Sequence, residues 1–236
     1  MRTYFTMVVG LLAASAAFAA PDVSNIYAIS NGTSFGFPNN GGAFRFTTAG
    51  GGANWANVGY GTGQSFYTFC TERTTAGFGN WATIDSEVYY DGSGPIDIYA
   101  NQAGLDLREV FAVYAGAGGW DAGLNALGAG FQVGVDGTQA QVNGWVQAYI
   151  WKKLGYTVTL GELPAAKEAL LDAVTSGAAA NVRVLNLWNT NNAAAILDPN
   201  SGADRQSQLI LVPLPGALLL GALGLGVAGW AARRKN

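Results

Sequence analysis

The sequence predicts an α+β fold: a β-rich single domain, sandwich or barrel-like, with two or three helices, between an N-terminal signal peptide and a C-terminal transmembrane helix. Three features carry that expectation. Short aromatic runs alternate with Gly- and Asn-rich turns in the N-terminal half, apolar residues recur at helical spacing only further on, and both ends are apolar.

The ends separate from the body. Arg2 precedes an apolar stretch from Met7 to Leu12 and the small-residue region Ala17-Phe18-Ala19, the pattern of a secretory signal peptide over residues 1–19. At the other end, residues 212–236 hold Val212-Pro213-Leu214-Pro215, an uncharged run over 216–232 and the cations Arg233, Arg234 and Lys235. At the helical rise the run covers roughly 26 Å, just enough to span a hydrocarbon core of ~30 Å. Pro213 and Pro215 stop the helix from extending backwards, and the terminal cations favour the cytoplasmic side, so that residues 20–211 face outward. That length suits one core rather than two.

Within the body, residues 22–63 read as short strands between turns, with islands such as Ser34-Phe35-Gly36-Phe37 and Ala43-Phe44-Arg45-Phe46. The clearest strand is Ser65 to Glu72. Period-two alternation sets Tyr67, Phe69 and Thr71 on one face and Phe66, Thr68, Cys70 and Glu72 on the other, which is the more polar. Ile84 to Tyr90 and Pro95 to Tyr99 are further strand candidates around the turn Asp91-Gly92-Ser93-Gly94. Asp85, Glu87, Asp91 and Asp97 lack the spacing of a calcium loop and read as a solvated turn.

Leu107, Val110, Phe111 and Tyr114 give a helix over 106–115, followed by a Gly-rich stretch to Gly137. From Val142 to Leu154 the helix is apolar on most sides, with Val142, Trp145, Val146 and Tyr149 on one face and Gln147, Ile150, Trp151 and Leu154 on another, so it is expected to be buried. Pro164 to Ser176 is amphipathic, with Leu170, Leu171 and Val174 inward and Gly177 as the stop. Val182 to Trp188 and Leu209 to Val212 close the domain as strands across a polar loop, 189–205.

Composition narrows the chemistry. Histidine is absent, which removes Ser-His and Cys-His nucleophile pairs and His-ligated metals. Four of the 12 Lys and Arg residues lie in the terminal segments, so the body is more acidic than the formal net charge of −3, which argues against nucleic acid as a partner. No cofactor or metal site is expected.

Two residues stand out. Cys70 is the single cysteine of an exported chain, so it has no intramolecular disulfide partner. It is inert, pairs between chains, or is engaged with something other than a thiol. Gln147, flanked by Trp145, Ile150 and Trp151, is expected to be buried, where its amide costs a few kcal/mol unless it is bonded. A backbone hydrogen bond satisfies it, and so does a thioester formed when a cysteine sulfur displaces ammonia from the carboxamide.

Two resemblances bear on these residues. Phe69-Cys70-Thr71-Glu72 and Val146-Gln147-Ala148-Tyr149-Ile150-Trp151, with Val184 to Trp188 and Arg205 to Leu209 as closing strands, resemble the thioester domains of bacterial surface proteins. That resemblance implies a Cys70 to Gln147 thioester, flanked by Phe69, Glu72 and Trp151, that an amine or hydroxyl on a surface target opens. Val146 and Ala148 depart from the commonest form of the motif, and Thr138-Gln139-Ala140 is a decoy without the following Ile-Trp. The tail, with sorting-motif residues Val212, Pro213, Pro215, Arg233, Arg234 and Lys235, is similar to a PEP-CTERM sorting signal. This implies export, anchoring in the inner membrane with the domain in the periplasm, processing by an exosortase, and passage to the cell surface or an exopolysaccharide matrix.

The alternative is a non-covalent carbohydrate-binding or structural matrix module, in which Trp55, Trp81 or Trp120 would stack on sugars. An enzyme would need a carboxylate pair such as Asp85 with Glu87 or Asp106 with Glu109, whose separation sequence proximity does not set. A non-enzymatic surface protein is the expectation.

Overall fold

A computed structural model describes residues 20–30, 34–36, 42–73, 78–89 and 96–213. Its fold is α+β, a curled antiparallel sheet forming a half-barrel with helices against it. The expected signal peptide, the 91–94 turn and the span 216–232 with its basic tail lie outside the described residues. Among those described, no helix is long and apolar enough to cross a membrane.

The strands are β1 (Tyr27–Ser30), β2 (Ser34–Gly36), β3 (Gly42–Thr48), β4 (Ser65–Phe69), β5 (Trp81–Asp85), β6 (Glu87–Val88), β7 (Ile96–Asp97), β8 (Val182–Trp188) and β9 (Asp204–Leu211). The helices are α1 (Gln102–Gly116), α2 (Trp120–Ala126), α3 (Gln139–Lys153), α4 (Ala165–Asp172) and α5 (Ala193–Ile196). Among the described residues, five α-helices stand where two or three were expected, because α2 forms in the Gly-rich stretch and α5 in the polar loop.

The sheet runs β2-β3-β1-β5-β8-β9, with β4 on the far edge of β3, while β6 and β7 form a separate hairpin. Strand twist curls the sheet until its two ends meet. Cys70, just past β4, pairs with Gln208 of β9, and the Thr71 N–H donates to the Ser207 carbonyl at 3.0 Å.

Two cores follow from this curl. Strands β1, β3, β4, β5, β8 and β9 send side chains inward, where Phe44, Phe46, Phe66, Trp55, Leu185, Leu187 and Ile210 pack with Cys70. On the outer face, Leu107, Val110, Phe111 and Tyr114 of α1 meet Val142, Val146 and Tyr149 of α3 over Phe69, Val184 and Leu209. The alternation read along β4 sorts Phe69 to one core and Phe66 and Cys70 to the other. The Cys70 face carries the buried polar residues Thr68 and Glu72 beside Phe66, and curling turns that face inward rather than to solvent.

Three further expectations are corrected. Leu170 is exposed whereas Leu171 is buried, because α4 ends at Asp172 and presents one narrow stripe inward. Ile150 and Leu154 join the outer core rather than the side of α3 that carries Gln147. The last strand begins at Asp204, not Leu209, so its polar residues belong to the sheet. Gly79 is required where the chain crosses β8: a Cβ there would lie 1.9 Å from the Trp188 carbonyl oxygen.

Candidate functional site

The site forms where the curl closes. Thr138 caps α3 in a reciprocal box: its hydroxyl accepts from the Gln141 N–H at 3.3 Å, while Gln141 Oε1 accepts from the Thr138 N–H at 2.9 Å. The Thr138-Gln139-Ala140 stretch is thus the start of the helix that carries Gln147. Two turns on, Gln147 and Trp151 point away from the outer core toward Cys70.

Cys70 and Gln147 are both fully buried and in direct contact. The Cys70 N–H donates to Gln147 Oε1 at 3.1 Å, and Gln147 Nε2 donates to the Cys70 carbonyl at 2.7 Å. One carboxamide therefore occupies both main-chain groups of the cysteine. The N–H on the carboxamide oxygen draws electron density from its carbon, which favours attack there.

Neighbours fix the two chain segments. Glu72 is fully buried and its Oε1 accepts from the Ser207 N–H at 3.0 Å, while Gln206 Nε2 donates to the Glu72 carbonyl at 3.2 Å. These bonds fall at a register shift, where β9 carries one more residue than β8 between Leu185 and Leu187. A bulge of this kind re-aims side chains, here freeing β9 groups to hold the segment after Cys70. Phe69 lies edge-on to Tyr114 with ring centroids 4.7 Å apart. Trp151 packs in the inner core with Cys70, and the Arg73 guanidinium lies 5.3 Å over its ring while bonding Thr157 O and Glu162.

Sequence reasoning missed Gln208 and Asn186. Gln208 Nε2 donates to Cys70 Sγ at 3.4 Å, and its Oε1 accepts from Thr68 Oγ1 at 3.2 Å. The available signal was polar Gln206, Ser207 and Gln208 leading into an apolar run, a pattern better explained by a buried polar network than by a loop. Asn186 spans four elements: its Nδ2 donates to Asp85 Oδ2 at 3.1 Å and Glu87 O at 2.9 Å, and its Oδ1 accepts from Ser207 Oγ at 2.8 Å and the Tyr89 N–H at 3.4 Å.

Asp85 consequently does not sit in a solvated turn. Desolvation raises its carboxyl above the ordinary value of 3.8, although bonds from Asp22, Thr83 and Asn186 oppose this. Stability contributed by a group raised in this way is fully present below the unfolded pKa and is lost as pH rises through the folded one. The wild type should lose urea resistance relative to Asp85→Asn as pH climbs from about 3 to about 7. Parallel curves over that range would show that Asp85 does not carry the effect.

The remaining candidates are scattered. Asp106 pairs with Lys153 at 2.9 Å and Glu109 accepts from the Ser176 N–H, so each is held in a structural contact. Trp55 is buried, with Nε1 donating to Ala28 O at 2.8 Å, and is not available as a sugar platform. Trp81 is half-buried, and Trp120 is half-buried with its ring 5.6 Å from that of Tyr67. At the start of the sorting motif, the Val212 N–H donates to Asn181 O at 2.9 Å and Pro213 lies against Gly59, while Pro215, Arg233, Arg234 and Lys235 lie outside the described residues.

A scan against protein-family models, a search of curated proteins and a search of solved structures each gave no match.

Proposed function

We propose that this chain is an exported surface or matrix protein whose domain closes an internal thioester between Cys70 and Gln147. The Cys70 sulfur attacks the Gln147 side-chain carbon, the carbon–nitrogen bond breaks, and the thiol proton leaves with the amide nitrogen as ammonia. An amine or hydroxyl of a target then attacks the same carbon, forming an amide or ester and returning its proton to the Cys70 sulfur. The supporting observation is the pair of hydrogen bonds that seats the Gln147 carboxamide on the Cys70 main chain. Full burial shields the acyl group from water until a target reaches it.

In this reading the tail delivers the domain: the 216–232 span holds it at the inner membrane, an exosortase processes the sorting motif, and the product reaches the surface or an exopolysaccharide matrix. The burial of Trp55 weakens the non-covalent sugar-binding alternative, since it removes one of its three aromatic platforms.

Intact-mass measurement tests the chemistry. The processed wild type should weigh about 17 Da less than its sequence requires, the mass of one ammonia, and Cys70→Ala should restore full mass. A wild type of full mass with a titratable thiol would overturn the proposal.

A further inference from the structure

We infer that the groove where β4 and β9 part binds an uncharged saccharide, with the Tyr67 ring as the face against which a pyranose packs. The curl closes through the Cys70 to Gln208 bridge. Toward Ser65 and Leu211 the two strands separate, and a groove of about 220 Å³ opens between them, with Tyr60, Gln64, Phe66, Tyr67, Leu211 and Pro213 in its lining. That volume lies below the roughly 300–1,000 Å³ of sites for drug-sized ligands and suits a single ring. The site stands beside the thioester chemistry and does not depend on it.

The lining sets the chemistry of the ligand. None of the residues that form it is charged, and Arg45, the cross-strand partner of Tyr67 on β3, is not among them. An ionic ligand would lose hydration there without meeting a counter-charge. Hydrogen-bonding groups are nonetheless available. Among the described residues nothing bonds the Tyr67 hydroxyl, and Gln64, whose Oε1 accepts from the Gly61 N–H at 2.8 Å, has no partner for its Nε2. An aromatic ring edged by a hydroxyl and an amide matches a pyranose, which has an apolar C–H face and a rim of hydroxyls.

The Tyr67 ring is held in place before a ligand arrives. Gly118, Gly119 and Trp120 have φ of 91°, 67° and 47°, so the corner between α1 and α2 runs through three successive left-handed residues. For the tryptophan that conformation is strained, and strain of this kind gathers at functional sites. The corner lays Gly119 so close that a Cβ there would fall 2.2 Å from Tyr67 Cγ, and it sets the Trp120 ring edge-on to that of Tyr67 at 5.6 Å. The Trp120 N–H donates to the Tyr114 hydroxyl at 2.9 Å, which ties the corner to α1. Across the groove, the Tyr60 hydroxyl donates to the Leu211 carbonyl and fixes the end of β9. Trp120 therefore braces the platform rather than serving as one, and an aromatic that is already immobile loses less freedom on binding.

The experiment uses the full processed chain carrying Cys70→Ala, which keeps covalent capture out of the readout. Cellohexaose and mannohexaose serve as uncharged probes and hexagalacturonate as the acidic control, each titrated by calorimetry. At least one uncharged probe should bind, and the acidic one should not. Tyr67→Phe and Gln64→Met should each weaken that binding by about 2–10-fold, the worth of one uncharged hydrogen bond. Neither substitution threatens the fold, because phenylalanine keeps the ring beneath Gly119 and Gln64 is exposed. Binding of no glycan, as a groove suited to an extended peptide would show, or of hexagalacturonate alone, would overturn the inference. So would binding of an uncharged probe that neither variant weakens, since the sugar would then sit elsewhere.

Discussion

Trp151→Ala should lower the free energy of unfolding by about 3–5 kcal/mol, the range for truncating a large aromatic in a packed core. Trp151 is 1% exposed and reaches from α3 into the inner cluster, where it packs with Cys70, Phe44 and Leu187. Two effects oppose each other at this position. Its indole Nε1 is buried without a hydrogen-bond partner, so truncation relieves a penalty of about 1–3 kcal/mol. The cavity left by the ring costs more than that relief returns, and the Arg73 guanidinium loses its seat over the ring as well. Trp151→Phe separates the effects: it keeps much of the volume and removes the unsatisfied N–H, so it should fall within about 1.5 kcal/mol of the wild type. Urea unfolding reads both variants. A Trp151→Ala midpoint within error of the wild type, at unchanged slope, would mean that the ring is not part of the core.

How far the sequence reached depends on the range of the forces involved. The buried face of α1 and the two-sided alternation of β4 follow from local periodicity, and the structure has Leu107, Val110, Phe111 and Tyr114 fully buried. The burial of Gln147 was likewise legible from its apolar neighbours. Long-range pairings were not. Gln208 meets Cys70 from 138 residues away, and nothing local in Arg205 to Leu209 says where the bulge falls or that Cys70 is the partner across the closure. Leu170 and Leu171 show the same limit on a smaller scale, because a short helix with two adjacent leucines does not reveal which one faces the core. Trp120 starts α2 with a φ of 47°, a left-handed value that few non-glycine residues adopt and that helix propensity does not anticipate.

Asn186→Leu should cost about 3 kcal/mol, although it nearly conserves volume, because the loss is one of hydrogen bonding rather than packing. Asn186 is fully buried, and its single carboxamide joins Asp85 on β5, Glu87 on β6, the Tyr89 N–H and Ser207 on β9. Leucine fills the same space but leaves several of these groups facing a hydrocarbon. The cost should grow with pH. The Asn186 amide is one of the bonds that oppose the desolvation of Asp85, so its removal pushes that carboxyl further upward and makes ionising it more expensive. Unfolding measured at about pH 3 and about pH 7 should therefore show the larger deficit at the higher value. The pH-dependent part should vanish in the Asp85→Asn, Asn186→Leu double variant, where no carboxylate remains to ionise, while the pH-independent part persists through the Ser207 hydroxyl and the Tyr89 N–H. If the deficit were the same at both pH values in the single variant, Asn186 would be holding β8 and β9 together without any share in the charge on Asp85. Since Ser207 also donates its N–H to Glu72, two residues beyond Cys70, a loosened Asn186 should reach the cysteine through that strand. On the proposed thioester reading, the same variant should therefore be opened faster by methylamine, followed by intact mass, as well as unfold more easily.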